Sequence, residues 1–387
     1  MTTLSEPSAT AQKHSEQLSL LIQERIALAG GWLDFSCFMQ LALYAPGLGY
    51  YSAGRQKFSQ MQKDGGDFVT APEMTSLFGR TIAQQVAQIF QAMRGDLLEL
   101  GAGTGKLAAD LLLALADLDC LPQQYLILEV SDHLRQVQLE TLQATLPAAL
   151  LQRVQWLNAL PAAFEGVILA NEVLDAVPVH LVHATKQGLL ERGVAWQDGF
   201  VWQDKVLEET HLLGLAKQQN LPMGYLTEFS QAATALVSSL ALSLQRGAII
   251  LIDYGFSARE YYHPQRNQGT LMCHYQHHAH PDPLVNIGLQ DITAHVDFSS
   301  VAYAGVNHGL SLAGFCSQAQ FLMNAGMLKL MAQVSPDDVS RYAPLAAAAQ
   351  KLLSPAEMGD IFKVMALTKN LDTALIGFSQ GDKSHTL

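Results

Sequence analysis

The sequence predicts an α/β protein built on a parallel sheet with helices on both faces. Three observations carry that expectation. Short apolar runs alternate with helical patterns in the order strand 97–100, helix 106–117, strand 125–130, helix 132–145, strand 153–157 and strand 166–170. Such β-α-β-α order packs as a parallel sheet. The stretch Leu97–Leu107, LLELGAGTGKL, leads from a buried strand through Gly101, Gly103 and Gly105 into a helix marked by Leu107, Leu111, Leu112 and Leu115. Two late apolar runs, Ala248–Ile252 and Ile361–Thr368, add strands to the same sheet.

The remaining elements follow in chain order. Residues 1–17 are polar and predicted loose, Leu18–Leu28 reads as an amphipathic helix and Phe35–Leu43 as a second. Tyr44–Gly54 is a glycine-rich aromatic loop in which Gly49-Tyr50-Tyr51 acts as a lid or as core packing. Residues 65–79, GGDFVTAPEMTSLFG, open a helix running through Thr81–Ala92; Thr70 or Thr75 can cap it, and Pro72 suits a first turn. After Pro178 the alternation breaks, and residues 179–207 read as short antiparallel strands with Asp-Gly and Gln-Gly turns. A helix at Ala232–Gln245 precedes the strand Ala248–Ile252, which ends at Asp253-Tyr254-Gly255. Residues 256–310, rich in His, Pro, Asn and Gly, are predicted irregular, ahead of a helix at 317–326.

The expected division is therefore an N-terminal helical cap and pocket-covering segment over 1–95 and a core over 96–180 and 232–255. An antiparallel insertion (181–231) and an irregular insertion (256–315) interrupt it, and 316–387 complete it. A chain of 387 residues is long enough for one large domain with insertions or for two domains.

Composition excludes several function classes. With 49% hydrophobic and 15% charged residues the chain reads as globular. No run reaches the ~18 uninterrupted apolar residues of a membrane span. The opening MTTLSEPSATAQKHSEQ has neither a basic, apolar secretory pattern nor an arginine-rich transit pattern, so a cytoplasmic, bacterial location is expected. Cys37, Cys120, Cys273 and Cys316 are scattered, against a disulfide framework or a cysteine-rich zinc site. A formal net charge of −12 disfavours broad contact with nucleic-acid phosphates and suits a basic substrate.

The glycine loop points to a cofactor. Glycines remove Cβ atoms where a ligand meets backbone, and the helix start leaves N–H groups facing it. A P-loop would need a hydroxyl where Leu107 stands, and a dinucleotide fingerprint would need glycine where Lys106 stands. The loop is instead G-x-G-x-G, preceded by Glu99. This segment resembles the motif of class I S-adenosyl-L-methionine methyltransferases, whose cofactor carries an ammonium and a sulfonium that an acid suits. Glu129, at the end of Tyr125–Val130, stands at the spacing from which an acid reaches ribose hydroxyls, although as a strand-end acid it would look the same.

Five segments extend the likeness. GDFVTAPEMTSLFG (66–79), ELGAGTGKLAADLL (99–112), NEVLDAVPVH (171–180), LIDYG (251–255) and DITAHVDFS (291–299) resemble, in order, the MidA family of S-adenosyl-L-methionine-dependent methyltransferases. That family includes the mitochondrial complex I assembly factor which methylates an arginine. The resemblance implies a Rossmann-like seven-stranded class I methyltransferase core with an N-terminal helical cap and an inserted α+β subdomain. It implies N-methylation of an arginine on a protein partner, linked to respiratory complex assembly, and it leaves room for a homodimer. The family often has an arginine shortly after the Gly-Thr of its late insertion, where this chain has Leu271-Met272.

The expected site follows. Glu99, Gly101, Ala102, Gly103, Thr104, Gly105 and Glu129 hold the cofactor, and the resemblance adds Asp67, Thr70, Pro72 and Glu73 as a segment folding over it. Asp67 and Glu73 could equally complement a helix dipole. Asn171, Glu172 and Asp175 follow a central strand, at the edge where open α/β sheets bind ligands; their acids suit a guanidinium held bidentately, or else Glu172 caps the following turn and Asp175 binds backbone. Asp253 is either a pocket acid or a turn former. Transfer from a sulfonium needs alignment and desolvation, and no metal is assigned. His274, His277, His278 and His280 lack the spacing of a helical metal pair and are read as a loop facing solvent or substrate. The rival readings are a small-molecule methyltransferase, a cofactor-binding assembly factor without catalysis, and a nicotinamide-type enzyme.

Overall fold

Leu97–Leu100 forms the centre of a mostly parallel sheet in the computed structural model, which describes residues 5–53, 70–208 and 210–387. The chain divides into two units. One comprises the described residues of 5–53 with Asp175–Ala235 and Ala258–His295; the other comprises residues 70–174 with Leu236–Ser257 and Val296–Leu387. The helix Ser76–Ala92, expected within an N-terminal cap, belongs to the second of these.

In the second unit the sheet runs in the order Ser311–Ser317, Phe362–Lys369, Leu244–Phe256, Phe164–Asn171, Asp96–Leu100, Tyr125–Leu128, Val154–Leu157. The count of seven is the one the resemblance implied, and the short Val296–Asp297 pairs in parallel with Leu244–Phe256 as an eighth. The five strands from Leu244–Phe256 to Val154–Leu157 are parallel, whereas Phe362–Lys369 runs antiparallel to both its neighbours, Leu244–Phe256 and Ser311–Ser317. The helices Lys106–Asp117 and Ser76–Ala92 bury Leu107, Leu111, Leu115, Phe78, Ile82 and Val86 in one core with Leu97, Ile127, Val167 and Ile250. Thr75 caps Ser76–Ala92, its Oγ1 accepting from Leu77 N at 3.2 Å. Thr70 stands at the start of the one-turn helix Ala71–Met74 without a side-chain cap bond.

Two expectations are corrected here. The region 256–310 is not irregular throughout, because Phe298–Asn307 is a helix. Asp297 nucleates it, its Oδ1 accepting from Ser299 N at 3.0 Å and Ser300 N at 3.3 Å. Ser311–Ser317 is a strand that the sequence reading did not mark.

In the first unit the helix begins at Ala9, so residues 9–17 are ordered rather than loose. Leu18, Ile22 and Ile26 line its buried stripe, each worth about 1.5–3 kcal/mol on full burial. The helix Phe35–Tyr44 is capped by Asp34, whose Oδ1 accepts from Cys37 N at 2.9 Å. The expected antiparallel insertion joins Leu33–Asp34 in a five-stranded sheet: Leu33–Asp34, Gly188–Trp196, His180–Thr185 and Leu226–Phe229 in order, with Phe200–Val206 paired to Gly188–Trp196. A smaller sheet joins His278–His280, Met272–Tyr275 and Asp291–Thr293. Among the described residues, no helix is long and apolar enough to cross a membrane.

Candidate active site

The turn after Asp96–Leu100 needs its glycines. Gly101, Gly103 and Gly105 have φ of 60°, 54° and 85°, the left-handed region that side chains other than glycine adopt at a cost. A Cβ on Gly105 would lie 3.1 Å from Gln138 Cα, so the turn also sits tightly on the next helix. Gly105 N donates to Ala102 O at 2.7 Å, closing the turn, and Lys106–Asp117 begins immediately with its N–H groups at the bend. Thr104 Oγ1 donates to Glu73 Oε1 at 2.5 Å, which joins the segment carrying Thr70, Pro72 and Glu73 to the turn. Asp67 lies outside the described residues.

Both predicted acids are buried at the carboxyl ends of neighbouring strands. Glu99 accepts from the Tyr125 hydroxyl at 2.6 Å. Burial pushes its carboxyl up to about 7, Tyr125 opposes the shift, and the negative charge of Glu129 adds to it. Glu129 Oε1 accepts from Ser131 N at 2.9 Å and Oε2 from Gln138 Nε2 at 3.0 Å. Gln138 is fully buried. It also donates to Gly103 O at 3.1 Å and accepts from Trp156 Nε1 at 2.8 Å. The sequence reading missed this residue. The available signal was a glutamine at position i+4 between Leu134 and Leu142 on the buried stripe of Asp132–Thr145.

Asn171 and Glu172 leave the strand beside the glycine turn, Ala170 pairing with Leu100. Glu172 is left-handed at φ 54°, a strained state for this residue type. Its N–H donates to Ile252 O at 2.9 Å, and its Oε1 accepts from Asn171 Nδ2 at 3.1 Å. Asn171 Oδ1 is buried with no hydrogen-bond partner among the described residues. Asp253 resolves in favour of a backbone clamp: its Oδ2 accepts from Val173 N at 3.2 Å and Leu174 N at 2.9 Å, and its Oδ1 from Tyr254 N at 2.9 Å.

The first unit holds the other predicted residues. Asp175 is buried there, and its carbonyl accepts from Ala294 N at 2.9 Å. Tyr50 and Tyr51 pack in that unit's core, with Tyr51 Oη donating to Asp291 Oδ1 at 3.0 Å, so the aromatic pair is core packing rather than a lid. The histidine-rich segment is a hairpin rather than an open loop, with Gln276 and His277 left-handed at its two-residue tip. Elsewhere in the same unit His180 Nδ1 lies 2.8 Å from Glu191 Oε1 and 3.8 Å from Asp34 Oδ1.

A glycine turn that rejects side chains, flanked by two buried strand-end acids, suits a nucleoside carrying a cationic tail better than a phosphate. Comparison with known proteins decides the matter. Residues 81–316 match the family described as "Putative S-adenosyl-L-methionine-dependent methyltransferase". The chain belongs to this family. Its cofactor is S-adenosyl-L-methionine. The chain is similar over its whole length to a Burkholderia thailandensis protein crystallised with S-adenosyl-homocysteine, at 50% identity and a TM-score of 0.97, covering 100% of both chains. It is 29% identical to the protein arginine methyltransferase NDUFAF7 homolog, mitochondrial, of Drosophila melanogaster, over 97% of this chain and 92% of that one. Identity with the Homo sapiens protein arginine methyltransferase NDUFAF7, mitochondrial, is 27% over 85% and 78% of the two chains. The glycines and acids of the second unit fit the family's cofactor.

Proposed function

We propose that this methyltransferase N-methylates an arginine of a protein partner. When bound, the cofactor supplies a methyl group already activated on sulfur. The chain's own task is then to hold, orient and desolvate. In this reading Gly101–Gly105 receive the amino-acid tail, Glu99 faces its ammonium, and Glu129 grips the sugar hydroxyls. Thr70, Pro72 and Glu73 border the same pocket.

The observation that carries the acceptor assignment is Glu172. A carboxylate is held in a strained backbone state at the end of a central strand, beside the cofactor turn, and steadied by Asn171. A guanidinium is planar and always charged, so a fixed carboxylate can take two of its N–H groups and leave a third nitrogen directed at the methyl group. Asn171 Oδ1, buried without a partner among the described residues, supplies a further acceptor for such a donor. Asp175 is assigned the same task on the sequence pattern. The names borne by the fly and human relatives support a protein arginine as acceptor.

The test is to incubate the protein with radiolabelled S-adenosyl-L-methionine and a lysate of its host. Labelled arginine within a polypeptide is the expected product, and it is lost in Glu172→Gln while S-adenosyl-homocysteine still binds. A labelled metabolite would establish the small-molecule reading instead. No label at all, with binding intact, would establish a binding factor.

A further inference from the structure

Building on the reading that Glu129 grips the cofactor's sugar, we infer that Gln138 is a positioning residue of the cofactor site. It locks the sugar-binding carboxylate to the glycine turn.

Gln138 occupies a place on Asp132–Thr145 where an apolar residue would be expected, and it is fully buried. A buried amide must satisfy its donors and acceptor. Gln138 spends both donors on the cradle, one on Glu129 Oε2 at 3.0 Å and one on Gly103 O at 3.1 Å. Its oxygen accepts from Trp156 Nε1 at 2.8 Å. That third bond fixes which way the amide faces. Turned over, the amide would set its oxygen against a carboxylate and a carbonyl, and its NH2 against an indole N–H.

Ser131 N therefore holds one oxygen of the Glu129 carboxylate and Gln138 the other. The same side chain ties down the peptide of the central glycine, and its Cα limits the space at Gly105. The parts that would hold the sugar and the amino-acid tail thus share one rigid neighbour. A preset carboxylate loses less freedom when hydroxyl groups arrive, which is how preorganisation raises affinity.

The experiment uses the full chain and calorimetric titration with S-adenosyl-homocysteine and with its 2′-deoxy analogue. Gln138→Met keeps the length and removes the three bonds. Affinity for S-adenosyl-homocysteine is expected to fall about tenfold, the scale of one lost bond to a charged group. The analogue, lacking a hydroxyl that Glu129 would hold, should change much less. The double variant Glu129→Ala/Gln138→Met should bind no worse than Glu129→Ala alone, because Gln138 acts through Glu129. Unchanged affinity in Gln138→Met, or equal losses for both ligands that add to the Glu129→Ala loss, overturns the inference. If Gln138→Met does not fold, Trp156→Phe leaves Gln138 in place and removes the bond that orients its amide. The same selective loss, smaller in size, is then expected, and its absence overturns the inference as well. Failure of the unaltered protein to bind S-adenosyl-homocysteine would instead overturn the reading of the whole site.

Discussion

Glu99→Gln tests whether the buried acid faces the cofactor's ammonium. In the free protein burial raises the Glu99 carboxyl from its ordinary value of 4.5 to about 7. Between those values the folded state keeps a proton that the unfolded state has released. The stabilising contribution is therefore complete below 4.5 and lost as pH rises through 7, a total of about 3 kcal/mol. An ammonium beside Glu99 requires the ionised form. The ionised fraction rises from roughly a tenth at pH 6 to roughly nine tenths at pH 8, so S-adenosyl-homocysteine should bind about tenfold more tightly at pH 8 and release a proton below neutrality. Calorimetry in two buffers of different ionisation enthalpy reads both the affinity and the proton. Glu99→Gln should abolish this slope and leave only the titration that belongs to the ligand. It should also gain stability relative to the unaltered protein between pH 5 and pH 8. A slope that persists unchanged in Glu99→Gln would refute the assignment of Glu99 to the ammonium. Stabilities that run parallel with pH would refute the raised carboxyl.

Gly105→Ala places a Cβ 3.1 Å from Gln138 Cα at φ 85°, so thermal unfolding should show a loss of at least about 1–2 kcal/mol, together with weaker cofactor binding by calorimetry. Asp253→Ala removes the acceptor of Val173 N and Leu174 N, and at about 1–3 kcal/mol for each unsatisfied buried group it should destabilise clearly in a denaturant titration and slow methyl transfer. Glu172→Gly relieves the left-handed strain and removes the carboxylate, so transfer should vanish in the radiolabel assay while stability changes little or rises by about 1 kcal/mol. A large stability loss in that last variant would make Glu172 a structural residue.

Periodicity and turn chemistry exposed the central strands, because parallel strands covered on both faces are continuous apolar runs and glycine turns leave a local mark. The helix Phe298–Asn307 escaped because Ser, Val, Gly and Asn are indifferent or poor helix formers; Asp297 and tertiary burial make it. The strand Ser311–Ser317 contains Gly314, where a Cβ would stand 2.2 Å from the Phe378 ring, a constraint set by residues far along the chain. The acids of the site were visible for the same local reason as the glycines. Their partners were not. Tyr125 reaches Glu99 only because Leu97 pairs with Tyr125 and brings the two strands side by side. Asp253 reaches Val173 only across the pairing of Leu244–Phe256 with Phe164–Asn171.

Three buried carboxylates of the second unit, Asp253, Glu129 and Glu99, divide by what each accepts. Asp253 accepts from three backbone N–H groups, which suits a structural task. Glu129 accepts from Ser131 N and Gln138 Nε2, which set its direction. Glu99 has a tyrosine hydroxyl, too little to offset its burial, and its carboxyl rises accordingly. A carboxyl left short of donors in the free protein is one that a cationic ligand can ionise. The same logic explains why the left-handed Glu172 is tolerated. Its backbone is tied to Ile252 and the residues after it are clamped by Asp253, so the strain is held by groups that have no part in gripping a ligand, while its carboxylate and the Asn171 amide are left to the acceptor.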